Sequence, residues 1–211
     1  MPYGYLGTTP NQQYANSGVF SVEEALALQN EGELGGSLNL IDTYTASSSS
    51  TLNLTAIKES KYNVHLLQIL NLTHGESSQK YMEMRFSNDG GSSFEDSNYN
   101  RAVDYAGSSY GVNGTNTATE MLLAIGAQNE SMNAYMYLYN LGDSAKYSFT
   151  THQSTVGFAD STNYWSYLGG HTYRVAETIN AIQIRIDNGG NFSATAKLFG
   201  LKDIENWVTY D

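Results

Sequence analysis

Met132-Asn133-Ala134-Tyr135-Met136-Tyr137-Leu138-Tyr139 carries two interleaved series, Met132, Ala134, Met136 and Leu138 in one and Tyr135, Tyr137 and Tyr139 in the other. Successive side chains of a β-strand point to opposite faces, so this alternation turns the first series toward a core and the tyrosines away from it. An aromatic outer face has two uses. It packs under a further layer of chain, or it meets a subunit or a ligand, because tyrosine offers large contact area for little lost entropy and sugars stack on aromatic rings. Tyr164, Trp165 and Tyr167 form a second aromatic group, in a loop or short strand, and Trp165 joins Tyr135, Tyr137 and Tyr139 as a candidate glycan or interface residue.

The same period of two governs the chain on both sides of this segment. Leu38 and Leu40, Leu52 and Leu54, Met82, Met84 and Phe86, and Ile182, Ile184 and Ile186 each alternate with polar neighbours, as half-buried strands do. Val64-His65-Leu66-Leu67-Gln68-Ile69-Leu70 is apolar on both faces and suits a central strand covered on each side. About ten to twelve such strands, with turn signals every 8 to 12 residues or so, predict an all-β protein. The expected architecture is an antiparallel, jelly-roll-like sandwich over residues 37–211, closing in a short C-terminal tail.

Two turns resemble one another. Arg85-Phe86-Ser87-Asn88-Asp89-Gly90-Gly91-Ser92-Ser93-Phe94 and Arg185-Ile186-Asp187-Asn188-Gly189-Gly190-Asn191-Phe192 both set an acidic or amide pair before Gly-Gly, with a Phe shortly after. Asp and Asn bond their own backbone and tolerate positive φ, and Gly supplies the rest of the reversal. Asp89, Gly90 and Gly91, like Asp187, Gly189 and Gly190, are therefore expected to close β-hairpins, in a structural role.

Residues 1–36 read differently. Pro2, Gly4, Gly7, Pro10 and Gly18 punctuate an aperiodic stretch containing Tyr3, Tyr5, Leu6, Tyr14 and Phe20, the pattern of an extended arm. A disordered tail is depleted in aromatics, so these four rings point to an arm that docks on a neighbouring subunit. Each ring buried there contributes on the order of 1 to 3 kcal/mol. Ordering the backbone costs roughly 1 to 2 kcal/mol per residue, so the arm gains order only on a preformed partner surface. Ser21 and Glu24 then form a capping box with Phe20 as its staple, which predicts a helix over 22–30 that Gly32, Gly35 and Gly36 stop.

Composition narrows the function. Charged residues are 15% of the chain, against roughly 25% in an average soluble domain, and 23 Ser, 18 Thr and 20 Asn take their place. The polar surface is mostly uncharged. A net charge of -11 disfavours nucleic acid and anionic lipid as partners. No apolar run reaches the length of a membrane span. No Lys or Arg precedes Lys58, so the basic flank of a signal peptide is missing and synthesis in the cytoplasm is expected. The chain has no Cys, which removes disulfides, thiolate metal sites and Cys nucleophiles together.

Catalytic constellations are missing as well. There is no nucleophile elbow, no P-loop and no dinucleotide-binding glycine motif. His65, His74, His152 and His171 form no close metal pair, and the simplest reading of His65 and His74 is a sheet-face histidine and a turn histidine. Asp89, Asp96, Asp104, Asp160 and Asp187 lie in or near Asn- and Gly-rich loops where calcium is conceivable, yet none fits the EF-hand pattern. The expectation is no enzyme, no catalytic residues, no resident metal and no cofactor.

Two resemblances follow from these residues. Ser87 to Phe94 fits S-x-D-x-G-x-x-[WF] and so resembles the Asp-box of sialidase propeller blades, but one copy on a chain too short for a propeller carries the turn without the chemistry. The second covers about a third of the chain. Tyr5-Leu6-Gly7-Thr8-Thr9-Pro10 and Ser17-Gly18-Val19-Phe20-Ser21-Val22 are similar to the start of many virion structural proteins of tailed phages, especially tail-fibre-type and surface proteins of marine phages. Ile182-Gln183-Ile184-Arg185-Ile186 through Gly190-Asn191-Phe192 to Ala196-Lys197-Leu198-Phe199-Gly200-Leu201, and the Arg85 to Phe94 segment, resemble the same group. The resemblance implies a non-enzymatic virion component, on the tail or decorating the capsid. It implies an attachment segment at the N-terminus, a homo-oligomer with a trimer favoured, and other virion proteins as partners. The alternative is a carbohydrate-binding, lectin-like receptor-recognition module that takes host surface glycans.

Overall fold

The structure is a computed structural model that describes residues 38–158 and 163–201, together with Glu23, which is helical. The rest of the expected arm and helix, with Tyr3, Tyr5, Tyr14 and Phe20, lies outside the described residues, as do Asp160 and the expected C-terminal tail. All described strands belong to the second of the chain's two units, Ser37–Asp211.

Twelve strands are described: β1 (Leu38–Ser49), β2 (Thr51–Leu54), β3 (Val64–His74), β4 (Lys80–Ser87), β5 (Tyr99–Ala106), β6 (Tyr110–Ala118), β7 (Met121–Gly126), β8 (Met132–Tyr139), β9 (Ser148–Phe158), β10 (Asn163–Tyr173), β11 (Ala181–Ile186) and β12 (Phe192–Leu201). They form an eight-stranded sheet in the order β1-β12-β3-β8-β9-β10-β5-β6 and a four-stranded sheet in the order β2-β11-β4-β7. Every ladder is antiparallel. The two sheets make an all-β sandwich, as the alternating pattern requires.

The core is where the inward series of both sheets meet. Leu52 and Leu54 of β2, Met82, Met84 and Phe86 of β4, and Ile182, Ile184 and Ile186 of β11 supply the small sheet's side. Leu67, Ile69, Met136, Leu138, Ala196 and Leu198 supply the large sheet's. Each fully buried Leu, Ile, Met or Phe among them stabilises by roughly 1.5 to 3 kcal/mol. β3 lies between β12 and β8, inside the sheet as expected, but it is not covered on each side: its inward face is buried, while Val64, Gln68 and Leu70 on the other face are part-exposed.

The two Gly-Gly turns depart from expectation. Residues 88–98 carry the chain from β4 in the small sheet to β5 in the large one, and Asp187–Gly189 is a short 3-10 turn leading from β11 to β12, again across sheets. Neither closes a hairpin. Gly90 (φ 75), Gly91 (φ 88), Asn188 (φ 55) and Gly189 (φ 72) do take the left-handed backbone that the reversal needs, whereas Gly190 is extended. Such residues let the chain turn back sharply but do not choose the sheet to which it returns.

One tyrosine decides how β4 hands over to β5. The β4–β7 ladder ends at the Met84–Met121 pair, so Phe86 lies beyond it. The Phe86 N–H instead donates to the Tyr99 hydroxyl at 2.9 Å, and the Phe86 carbonyl accepts from the Glu95 N–H at 2.8 Å. Phe86, Tyr99 and Tyr173 pack as a ring cluster around this junction, with Tyr99 and Tyr173 centroids 5.0 Å apart. Tyr99→Phe keeps the ring but strands the buried Phe86 N–H, and we expect a loss of about 1 to 3 kcal/mol. Urea unfolding of the two proteins measures it, and an unchanged midpoint would remove the hydroxyl from the account.

Candidate functional site: the outer face of the large sheet

Ten large hydrophobic side chains are exposed among the described residues, and eight of them lie on one surface, the outer face of the eight-stranded sheet. Register shows why. Leu38 pairs with Leu201, Leu201 with Val64, Val64 with Tyr139, and Tyr139 with Phe149, giving one row across β1, β12, β3, β8 and β9. Leu40, Phe199, Leu66 and Tyr137 make the next row. Further along the strands Tyr135 is followed by Gln153 and Leu168, and beyond the latter stand Asp104 and Val112. Tyr110 and Tyr164 complete the set, 68% and 60% exposed.

The three tyrosines of β8 stand where their alternation places them, opposite the buried Met132, Met136 and Leu138. Tyr135 and Tyr137 meet edge to face at 6.4 Å, and Tyr137 lies nearly parallel to Tyr139 at 6.5 Å. The Tyr135 hydroxyl donates to Gln153 Oε1 at 2.7 Å, which fixes the ring against β9. Trp165 does not join them. It lies in β10, an 11-residue strand, and its alternation with the 60% exposed Tyr164 turns it inward, 8% exposed, against Tyr105 at 5.3 Å. Leu66, Phe149, Gln153, Leu168 and Phe199 belong to the outer face without having been singled out in the sequence. Phe149 and Gln153 alternate with buried Thr150, His152 and Ser154, so no hydrophobic contrast marks that strand.

The outer face of the small sheet has the opposite chemistry. There Arg185 Nε stands 3.8 Å from Glu83 Oε2, Arg85 Nη2 stands 3.3 Å from Glu120 Oε2, and Gln183 donates to Asn53. Thr119 also donates to the Glu120 carboxylate. Burial, with Glu120 nearby, pushes the Glu83 carboxyl up to about 7. The charges of this face pair with one another, although Arg85 Nε is left without a partner. The large sheet's outer face instead gathers the exposed apolar side chains.

The turn carboxylates are engaged internally. Asp89 accepts from the Ser93 N–H at 3.0 Å, the Ser93 hydroxyl at 2.7 Å and the Ser87 hydroxyl at 2.8 Å, and these bonds hold its carboxyl down to about 2. Asp187 accepts from the Tyr81 N–H and from Asn188 Nδ2. Among the described residues no group of three His, Asp or Glu side chains is placed to hold a metal ion.

All four histidines are buried, including His74, which ends β3 instead of occupying a turn. His65 Nε2 meets the Ile57 carbonyl at 2.9 Å, His74 Nε2 the Gly126 carbonyl at 3.2 Å, and His152 Nε2 the Leu123 carbonyl at 3.2 Å. His171 Nδ1 pairs with the Thr150 hydroxyl at 3.1 Å, and its ring stacks on His152 with centroids 5.1 Å apart. Burial depresses His65, takes His152 down to about 4 and holds His171 well below its ordinary value. These three rings are held neutral in the interior, and in each of the four histidines one ring nitrogen is buried without a hydrogen-bond partner.

No protein-family model matches the chain, and no curated protein matches it.

The histidines make the fold acid-sensitive. An unfolded histidine takes a proton near pH 6.5 and a buried neutral one does not, so stability falls below that pH by about 1.4 kcal/mol per pH unit for each such group. Glu83 acts in the opposite direction. Its raised folded value stabilises below its ordinary 4.5, a contribution lost as pH rises through about 7. With three depressed histidines against one raised carboxyl, the urea midpoint is expected to fall from pH 6.5 to pH 5. His152→Gln, whose amide can still reach the Leu123 carbonyl, should flatten that slope, and Glu83→Gln should steepen it. A midpoint independent of pH across this range would contradict the assignment.

Proposed function

We propose that the chain is a non-enzymatic structural component of a tailed-phage virion, on the tail or fibre or decorating the capsid. It self-associates through the aromatic arm carrying Tyr3, Tyr5, Tyr14 and Phe20, as a homo-oligomer with a trimer favoured, and it meets other virion proteins. The observation that carries this reading is the outer face of the large sheet. Eight of the ten exposed large hydrophobics of the described residues gather there, while on the other outer face Arg85 pairs with Glu120 and Arg185 with Glu83. A surface of that kind is made to be covered by a partner.

The chain's path supports the jelly-roll reading within the sandwich class. β2, β3, β4 and β5 alternate between sheets, as do β6, β7 and β8, and β10, β11 and β12. The uncharged polar composition and the segments resembling phage virion proteins agree with an assembly role in particles made in a host cytoplasm.

Light scattering on the full chain and on a chain lacking residues 1–20 tests the arm. The full chain is expected to run as an oligomer and the shortened one as a smaller species. Leu40→Asp, at a side chain 56% exposed, is expected to weaken association with little change in thermal midpoint. Peptides of the protein should be found in purified particles. Equal, monomeric behaviour of both chains, together with undiminished incorporation of the shortened one, would overturn the attachment role.

A further inference from the structure

The polar end of the same outer face holds a shallow groove of about 300 Å³, lined by Gln68, Leu70, Asn133, Tyr135, Gln153 and Thr155, with the backbone of β8 and β9 as its floor. Its volume is at the lower end of small-molecule sites, enough for one or two sugar rings. A β-bulge opens it. The β3–β8 register slips between Ile69 and Leu72, Asn71 takes φ 51, and its N–H donates to Asn133 Oδ1 at 3.0 Å.

We infer that this groove binds a neutral pyranose glycan. The Tyr135 ring, 45% exposed, offers a platform for the C–H face of a sugar. Its hydroxyl is tied to Gln153 Oε1, so the platform is oriented before any ligand arrives, and the Gln153 amide keeps its N–H donors for the groove. Asn133 uses its carbonyl oxygen on the Asn71 N–H and likewise keeps its NH₂. Gln68 adds a third amide and Thr155 a hydroxyl, the donor and acceptor mixture that vicinal sugar hydroxyls need. Leu70 supplies an apolar wall. No charged side chain is among the lining residues, and Lys197, the register partner of Gln68 on β12, is not one of them. A carboxylated, sulfated or phosphorylated ligand would enter without a counter-charge, against a protein of net charge -11. The inference is independent of the virion role, since a free-standing protein could use the same groove.

A glycan array carrying neutral and acidic oligosaccharides, probed with the full chain, tests it first. Neutral hexose glycans are expected to be retained and sialylated or sulfated ones not to be preferred. Titration of the retained neutral oligosaccharide should then show Tyr135→Ala binding at least about tenfold more weakly, a change of about 1.4 kcal/mol. Gln153→Ala should weaken binding in the same direction, and Phe149→Ala, on the same face but outside the groove, should leave it unchanged. All three positions are exposed, and circular dichroism verifies that each variant is folded. Retention of no neutral glycan, preference for acidic ones, or Tyr135→Ala binding like the parent would each overturn the proposal. Because association is read separately by light scattering, an oligomer that binds no glycan and a monomer that binds one distinguish this failure from failure of the virion reading.

Discussion

The ladder between β5 and β10 makes the large sheet one object. Eight residue pairs, from Ser166–Ala106 to Tyr173–Tyr99, join the β5–β6 hairpin to the β8–β9–β10 meander, which the chain otherwise reaches only after crossing to the small sheet and back. The approach is close at its middle, where a Cβ on Gly169 would collide with the carbonyl of Ala102. Much else depends on this ladder. It sets Tyr99 beside Tyr173, so that the Tyr99 hydroxyl can complete the end of β4. It also keeps Leu168 and Asp104 in the same row, which continues the outer face out to β6.

On that frame the two outward surfaces acquire different tasks. The small sheet answers its charges locally, through Glu83, Arg85, Glu120 and Arg185. The large sheet turns out leucines, tyrosines and uncharged amides, with the most apolar rows at the Leu38–Phe149 end and the amides around Tyr135. The interior is unusually polar for a sandwich, since four imidazoles and the hydroxyls of Thr150 and Ser154 are buried with the aliphatic core. Each imidazole meets a carbonyl or a hydroxyl through one ring nitrogen and leaves the other buried without a partner, so part of its desolvation cost is not offset.

Strands were legible in the sequence wherever polar and apolar residues alternate, and Met132–Tyr139 and Ile182–Ile186 fall where that pattern puts them. Trp165 was not legible, because Tyr164, Trp165, Tyr167 and Leu168 are apolar on both faces and give no contrast from which to tell inside from outside. The Gly-Gly turns were legible as reversals only. Positive φ at Gly90 and Gly189 is a local property, while the sheet that receives the next strand is chosen by distant groups such as the Tyr99 hydroxyl. The groove was half visible: Tyr135 stood out, but Gln68, Asn133 and Gln153 come from three strands that register alone brings together.

The position of β12 bears on how the molecule is made. A ribosome delivers β1 and β3 early, yet these two strands are not neighbours; the slot between them belongs to β12, the last described strand to emerge. β2 likewise finds its only ladder partner among the described residues in β11. The ladders of β1 and β2 therefore wait until β11 and β12 have been synthesised, and strand edges left open in that interval can join a neighbouring nascent chain. Closure of the sandwich joins its first described strands to its last, and translation speed through the stretch before β11 becomes a variable of its assembly.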